Sequence, residues 1–409
     1  MIRVTTLPNK ITVLVEEIPY VRSAAVGLWF KVGSRNERRD ESGISHFIEH
    51  MMFKGTANRT AREIAESLDQ VGGQLNAFTT KEYTCYYARV LDEHTNLALE
   101  ILYDMVFNSK FAEEDIEKEK NVVIEEVRMY EDAPDELIHD LLTEVMWNNH
   151  PLGRPILGEI KDIESFNRDK ILDYYKRHYT PDNLIIAVAG RVDYQELLEK
   201  ITDLFGGLGG RHKGDKITIP EFNLHSYSRR KNTEQVHLCL GTKGYSLTDD
   251  RIYAINILST ILGGGISSRL FQELREKHGL VYSVYSYTTA YQDAGLFGIY
   301  AGLGPNKVEE ALELIQKELN ELKTGKINDE ELERARQQIK GNLLLSLESV
   351  TTRMSRLAKS YLYHGKIISP EEIVAKVFNV SMDSIKAMAQ EISNLDNFTK
   401  VSIGPWEGF

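Results

Sequence analysis

Residues 24–32 (AAVGLWFKV) form a nearly unbroken apolar run rich in β-branched and aromatic side chains, which predicts a buried strand. Apolar positions then recur at helical spacing over 44–52 and again over 60–71. After Gly72 and Gly73, the segments QLNAFTT and YTCYYARVL alternate like half-buried strands and predict a hairpin. Two amphipathic helices are expected through NLALEILYDMVFN and EEDIEKEKNVVIEEVRMYED, and DNLIIAVAG reads as a buried strand.

The same order of signals returns after a Gly-rich break, GGLGGRHKGD, at 206–215. A strand (EQVHLCLGTKGY), a helix (RIYAINILSTILG) and a short helix (SRLFQELREKHG) precede two strands (YSVYSYTTAY and GLFGIYAG). Helices through KVEEALELIQKELNELKTG and NDEELERARQQIKGNLLLSLESV follow. FAEEDIEKEKNVVIEE superposes on INDEELERARQQIKGN with an offset of 216 residues, which points to duplication of one α+β unit. The expected fold is therefore α+β, with two homologous domains that each pack helices on a mostly antiparallel sheet. Their expected boundaries are 1–205 and 226–409, joined by a linker at 206–225.

Composition narrows the class. The 409 residues carry 49 Lys+Arg against 61 Asp+Glu, a net charge of −12, so nucleic acid is not an expected partner. No apolar run approaches the roughly 20 residues that span a bilayer, and no membrane association is expected. The opening segment MIRVTTLPNKITVLVEEIPYV lacks the apolar core of a secretion signal. Cys85 and Cys239, the two cysteines, lie far apart in apolar surroundings and read as buried thiols of a cytoplasmic protein.

The chemistry concentrates in HFIEH, where His46, Glu49 and His50 stand at i, i+3 and i+4 and share one side of a helix. Two imidazoles so placed suit zinc, and a carboxylate beside them can take a proton from water. A catalytic zinc needs a third protein ligand. NVVIEEVRMYED is the best source for it, but spacing does not choose between Glu125, Glu126 and other carboxylates there. Glu119 and Glu126, seven apart, share a helix face, so one could ligate while the other braces a ligand.

The combination VGSRNE, GISHFIEHMMFKGTANRT, QVGGQLNAFTTKEYTCYYARV, EKNVVIEEVRMYED, HPLGRPILG, YTPDNLIIAVAG and GGGISSRLFQELREKHGLVYSVYSY covers nearly the whole chain. It resembles the pitrilysin/insulinase family of inverted-motif zinc peptidases, above all the short members related to the mitochondrial processing peptidase beta subunit. The resemblance implies one Zn2+ per chain held by His46, His50 and Glu126, with Glu49 as general base and Glu119 as a supporting acid. It also implies that substrate adds as a strand along LNAFTT, near Asn76, Ala77 and Phe78. Arg275 and Tyr282 fall where the family binds substrate backbone and stabilises the oxyanion. Glu136 and Asp140, at i and i+4, fall where the processing-peptidase branch receives an Arg near the cleaved bond.

These expectations describe a zinc metalloendopeptidase that cleaves peptides or unfolded segments in a closed chamber, with a preference for basic residues. Longer relatives build that chamber from four domains, so a two-domain chain is expected to form a homodimer. Two other classes compete with this reading, a non-catalytic scaffold of the same fold and a peptide-binding holdase with a structural zinc. Intact motif residues weigh against the first, and the distance of both cysteines from the motif weighs against the second.

Overall fold

The computed structural model describes residues 1–214 and 217–409. Its first half supplies strands β1 (Ile2–Thr6), β2 (Thr12–Glu17), β3 (Ser23–Phe30), β4 (Gln74–Thr79), β5 (Thr84–Leu91) and β6 (Leu184–Gly190). The second supplies β7 (Ser226–Arg230), β8 (Val236–Lys243), β9 (Val281–Ala290), β10 (Gly295–Leu303) and β11 (Thr399–Gly404). The first sheet runs β1-β2-β6-β3-β5-β4 and the second β7-β11-β8-β10-β9. Strands β2 to β6 and strands β7 to β11 thus follow one spatial order. Even the parallel pair recurs, β2 with β6 and β7 with β11, while the remaining pairs are antiparallel. This shared order is the expected duplication in three dimensions.

Strand β3 is apolar throughout because both its faces are covered, a condition that replaces alternation by a continuous run. Val26, Leu28 and Phe30 enter one core, while Ala25 and Trp29 enter another with Met354, Leu357 and Ala358. The Trp29 indole N–H donates to the Met354 sulfur at 3.1 Å. Helices α1 (Ile44–Met51), α2 (Ala61–Asp69), α3 (Thr95–Phe107), α4 (Glu113–Glu131) and α5 (Pro134–Met146) follow in the first half. Thr60 caps α2 by accepting from the Glu63 amide, with Glu63 returning a bond to the Thr60 amide, so this helix starts where a capping box predicts.

The helix offset also holds: α4 begins at Glu113 and its counterpart Asp329–Ser346 at Asp329; α5 begins at Pro134 and its counterpart Val350–His364 at Val350. Packing, however, does not respect contiguous halves. The first compact unit comprises Met1–Arg128, Arg154–Ile217 and Ser346–Ile367; the second comprises Met129–Gly153, Thr218–Leu345 and Ile368–Phe409. Expected boundaries at 1–205 and 226–409 therefore follow the sheets but not the helices. Helix α5 buries Ile138, Leu142 and Met146 against Cys239, Val401 and Ile403 of the second sheet. Helix Val350–His364 covers the first sheet instead. Each unit takes in one helix from the other half of the sequence. Residues 206–214 and 217–225 of the expected linker form no helix or strand, and Asp215 and Lys216 lie outside the described residues. Among the described residues, no helix is long and apolar enough to cross a membrane.

Candidate metal centre

Helix α1 turns Ile44, Phe47, Ile48 and Met51 into the first core, leaving His46, Glu49 and His50 on the remaining side. Its entry is fixed by two glycines. Gly43 and Gly158 adopt φ of +89° and +80°, and a Cβ on either would meet backbone of the other's segment within 3.0 Å. Any side chain there would strain the turn and force the segments apart. The buried Glu37 carboxylate accepts from the Gly43 and Ser45 amides at 2.9 Å each, satisfying donors at the open end of α1. Burial pushes the Glu37 carboxyl up to about 8, against the pull of those amides and of Arg154. Arg154 in turn donates to the carbonyls of Glu37 and Arg38 at 2.9 and 3.0 Å.

Helix α4 buries Ile116, Val123 and Val127 and presents Glu119 and Glu126 from one face. Spacing leaves Glu125 and Glu126 open, and in the structure the two side chains meet different partners. Glu125 pairs with Arg128, whereas Glu126 faces both imidazoles, 3.7 Å from His46 Nε2 and 3.4 Å from His50 Nε2. One donor atom each from His46, His50 and Glu126 lie within 4.8 Å of one another. Among the described residues no fourth His, Cys, Asp or Glu joins that group.

Glu119, with 4% of its side chain exposed, accepts from His50 Nδ1 at 2.8 Å and from Lys54 Nζ at 2.6 Å. A carboxylate only accepts, so this bond places a proton on His50 Nδ1; in the neutral ring Nε2, on the side of Glu126, then keeps the lone pair that a metal ion needs. Burial works against a charged Glu119, but His50 and Lys54 outweigh it and lower its pKa. At His50, burial favours the neutral ring, yet Glu119, Glu126 and Glu49 together raise its pKa. Burial, reinforced by His50, lowers His46 to about 3, so its imidazole is neutral as a ligand must be. Its Nδ1 is buried without a hydrogen-bond partner. Two nitrogen donors and one carboxylate, with a hydrogen-bonded acid behind one ring, match a zinc centre that keeps an open position.

Glu49 hangs beside this group, its Oε2 accepting from the Thr79 hydroxyl at 2.5 Å. Burial raises its pKa, with Thr79 and His50 opposing. Thr79 ends β4, which is the edge of the first sheet and pairs on one side with β5. On that strand Asn76 is exposed and its side-chain oxygen accepts from the Ala77 amide at 2.8 Å. The Phe78 ring lies on the face opposite Ala77 and Thr79 and packs edge-on to Trp29 at 5.6 Å, so only its main chain is available along the edge.

In the second unit, Arg275 lies on a π-helical turn, Phe271–Lys277, with its guanidinium 5.0 Å from the Phe271 ring centre and 5.6 Å from that of Tyr282. Tyr282 is 73% exposed on edge strand β9. It lines a cavity of about 870 Å³ together with Glu136, Asp135, His139, Tyr130 and Tyr285, all within that unit. Asp140 is not in that lining; it interacts with the Tyr130 hydroxyl instead. The offset of 216 puts Ala335 and Asn342 where α4 has Glu119 and Glu126, so the second unit lacks the acids as well as the histidines.

Residues 12–160 match the family model described as Insulinase (Peptidase family M16), and residues 165–339 match the one described as Peptidase M16 inactive domain. A relative from Bacillus subtilis named uncharacterized zinc protease YmxG is 47% identical over 396 residues, covering 97% of both chains. The chain belongs to peptidase family M16. Within this family it is similar to an uncharacterized zinc protease of Streptomyces coelicolor, 40% identical over 96% of this chain and 87% of that one. A structure described as a protease from Helicobacter pylori superposes with a TM-score of 0.90, at 25% identity and 99% coverage of each chain. One described as a peptidase M16 inactive domain from Pseudomonas fluorescens shares the fold, with a TM-score of 0.92 at 22% identity over 99% of this chain and 98% of that one.

Three residues of the M16 centre escaped sequence reasoning. Lys54 stands four after His50, just past the end of α1, and closes the far side of Glu119. Thr79 ends LNAFT on the same strand face as Ala77. Glu37 sits in VGSRNE, where no local pattern distinguishes a buried cap from a surface acid.

Proposed function

We propose that this M16 chain is a zinc endopeptidase, with one zinc ion held by His46, His50 and Glu126. The observation that carries the reading is the convergence of those three donors within 4.8 Å, with Glu119 fixing the His50 ring from behind. A zinc ion there supplies Lewis-acid polarisation of the scissile carbonyl and acidifies water. Glu49 takes a proton from the attacking water and later delivers it to the leaving amine. The peptide adds to the open edge of β4, where the Asn76 side chain must first release the Ala77 amide. Extended peptides and unfolded segments are the substrates that such pairing accepts.

Glu136 beside an aromatic, acidic cavity supports a preference for Arg or Lys near the cleaved bond, with Asp140 holding Tyr130 at its margin. Arg275 and Tyr282, exposed and adjacent, act as donors to the developing oxyanion. In a homodimer they serve the centre of the partner chain, and the two chains together close a chamber. The two buried, unpaired thiols accord with a cytoplasmic setting.

The test is Glu49→Gln, which keeps size but removes the base. Peptidase activity should fall at least ~1000-fold with one zinc per chain retained, whereas His46→Ala, His50→Ala or Glu126→Ala should lose the metal too. A quenched-peptide assay with and without chelator reads the activity, and metal analysis reads the zinc. Near wild-type cleavage by Glu49→Gln would refute the general-base role. No chelator-sensitive cleavage in the wild type would favour the scaffold or holdase.

A further inference from the structure

Among the described residues, the Glu49 carboxylate accepts one side-chain hydrogen bond, from the Thr79 hydroxyl at 2.5 Å on Oε2. Along β4 the side chains of Leu75, Ala77 and Thr79 share a face, and Leu75 and Ala77 pack on the core that also holds Ile44, Phe47 and Ile48 of α1. Strand period therefore carries Thr79 over the helix that bears Glu49. Threonine is β-branched, so its side chain is stiff about χ1 and offers its O–H from a fixed position.

We infer that Thr79 is the positioning residue of the general base. The inference rests on the assignment of Glu49 as that base. An unheld glutamate carboxylate turns almost freely about its terminal bond. Bound at Oε2, it presents Oε1 in one orientation for the proton of the attacking water. Edge strand β4 then has two tasks at once: its outer edge sets the register of the peptide, and its last side chain sets the angle of the base. A base misplaced by about 1 Å loses up to ~100-fold in rate.

Three variants separate this role from packing. Thr79→Val keeps the shape and removes the hydroxyl; Thr79→Ser keeps the hydroxyl and removes a methyl group. Thr79→Val should lower kcat by about 10–100-fold, with KM within about twofold of wild type. Its zinc content and thermal midpoint should stay those of the wild type. Thr79→Ser should stay within about threefold of wild type in kcat. A packing role predicts the reverse order, Val active and Ser impaired. If Val disturbs the fold, Thr79→Ala compared with Thr79→Ser decides, since those two differ by the hydroxyl alone. Wild-type kcat in the hydroxyl-free variant, or equal loss with and without the hydroxyl, overturns the inference. Glu49→Gln measured alongside keeps the two claims apart. An active Glu49→Gln removes the base and this inference together, whereas an inactive one beside a fully active Thr79→Val removes this inference alone.

Discussion

Replacing Glu119 by Gln tests how far the centre depends on the acid behind its second histidine. Glu119 is buried at 4% side-chain exposure and accepts two charge-assisted bonds, 2.8 Å from His50 Nδ1 and 2.6 Å from Lys54 Nζ. Glutamine keeps the length but offers one acceptor oxygen and an amide that repels both donors. Lys54, about one-third exposed, can turn to water; His50, fixed in α1, cannot. The imidazole thus keeps at best a neutral amide oxygen in place of the carboxylate, and loses about 1–1.5 kcal/mol of charge assistance. That corresponds to roughly a 5–10-fold loss in affinity for the metal, the lower end of the range typical of groups that orient a metal-binding histidine. The lost negative charge also makes His50 harder to protonate, which lessens competition from protons. The titration is therefore run at mildly alkaline pH, where the ring is neutral in both proteins. Competition with a chromophoric chelator reads the zinc affinity, and thermal unfolding of the metal-free protein checks the fold. An affinity within about twofold of wild type in a folded Glu119→Gln protein would refute the argument that the Glu119–His50 bond sets the ligand.

Two further outcomes follow from the proposed assembly and specificity. Glu49→Gln and Arg275→Ala should each be inactive or strongly impaired alone, but mixing them under subunit exchange should restore activity. A mixed dimer has one site with both defects and one with neither, so recovery is at most about half the wild-type value per mixed dimer. No recovery despite demonstrated exchange, or a strictly monomeric active enzyme, would remove the shared site and leave the metal chemistry standing. Peptides with Arg or Lys near the cleaved bond should be cut in preference to neutral ones, and Glu136→Gln/Asp140→Asn should shrink that preference by about tenfold through KM. Equal cleavage of both peptide sets by the wild type would dispose of the claim.

Much of this protein follows from short-range pattern. The i, i+3, i+4 placement of His46, Glu49 and His50 needs only the pitch of a helix, and Ile44, Phe47 and Ile48 supply its buried face. The repeat at 216 residues marks the duplication because helix lengths and breaks are local properties of the chain; α4 and Asp329–Ser346 keep it, as do α5 and Val350–His364. Other features rest on residues that meet across the fold, where periodicity is silent. Helical spacing alone gives adjacent Glu125 and Glu126 equal claims, and the rotation of α4 against α1 turns Glu126 to the histidines and leaves Glu125 to Arg128. The parallel pairs β2–β6 and β7–β11 join strands at opposite ends of their units, so no local signal announces them. Helices α5 and Val350–His364 each carry an apolar stripe that fits a sheet face, and an apolar stripe does not say which sheet. Only the packed cores settle that choice, setting Met354 against Trp29 and Leu142 beside Cys239. The bond from Thr79 to Glu49 is of the same kind: strand alternation supplies the direction of the side chain, and the docking of a helix 30 residues earlier supplies the carboxylate it meets.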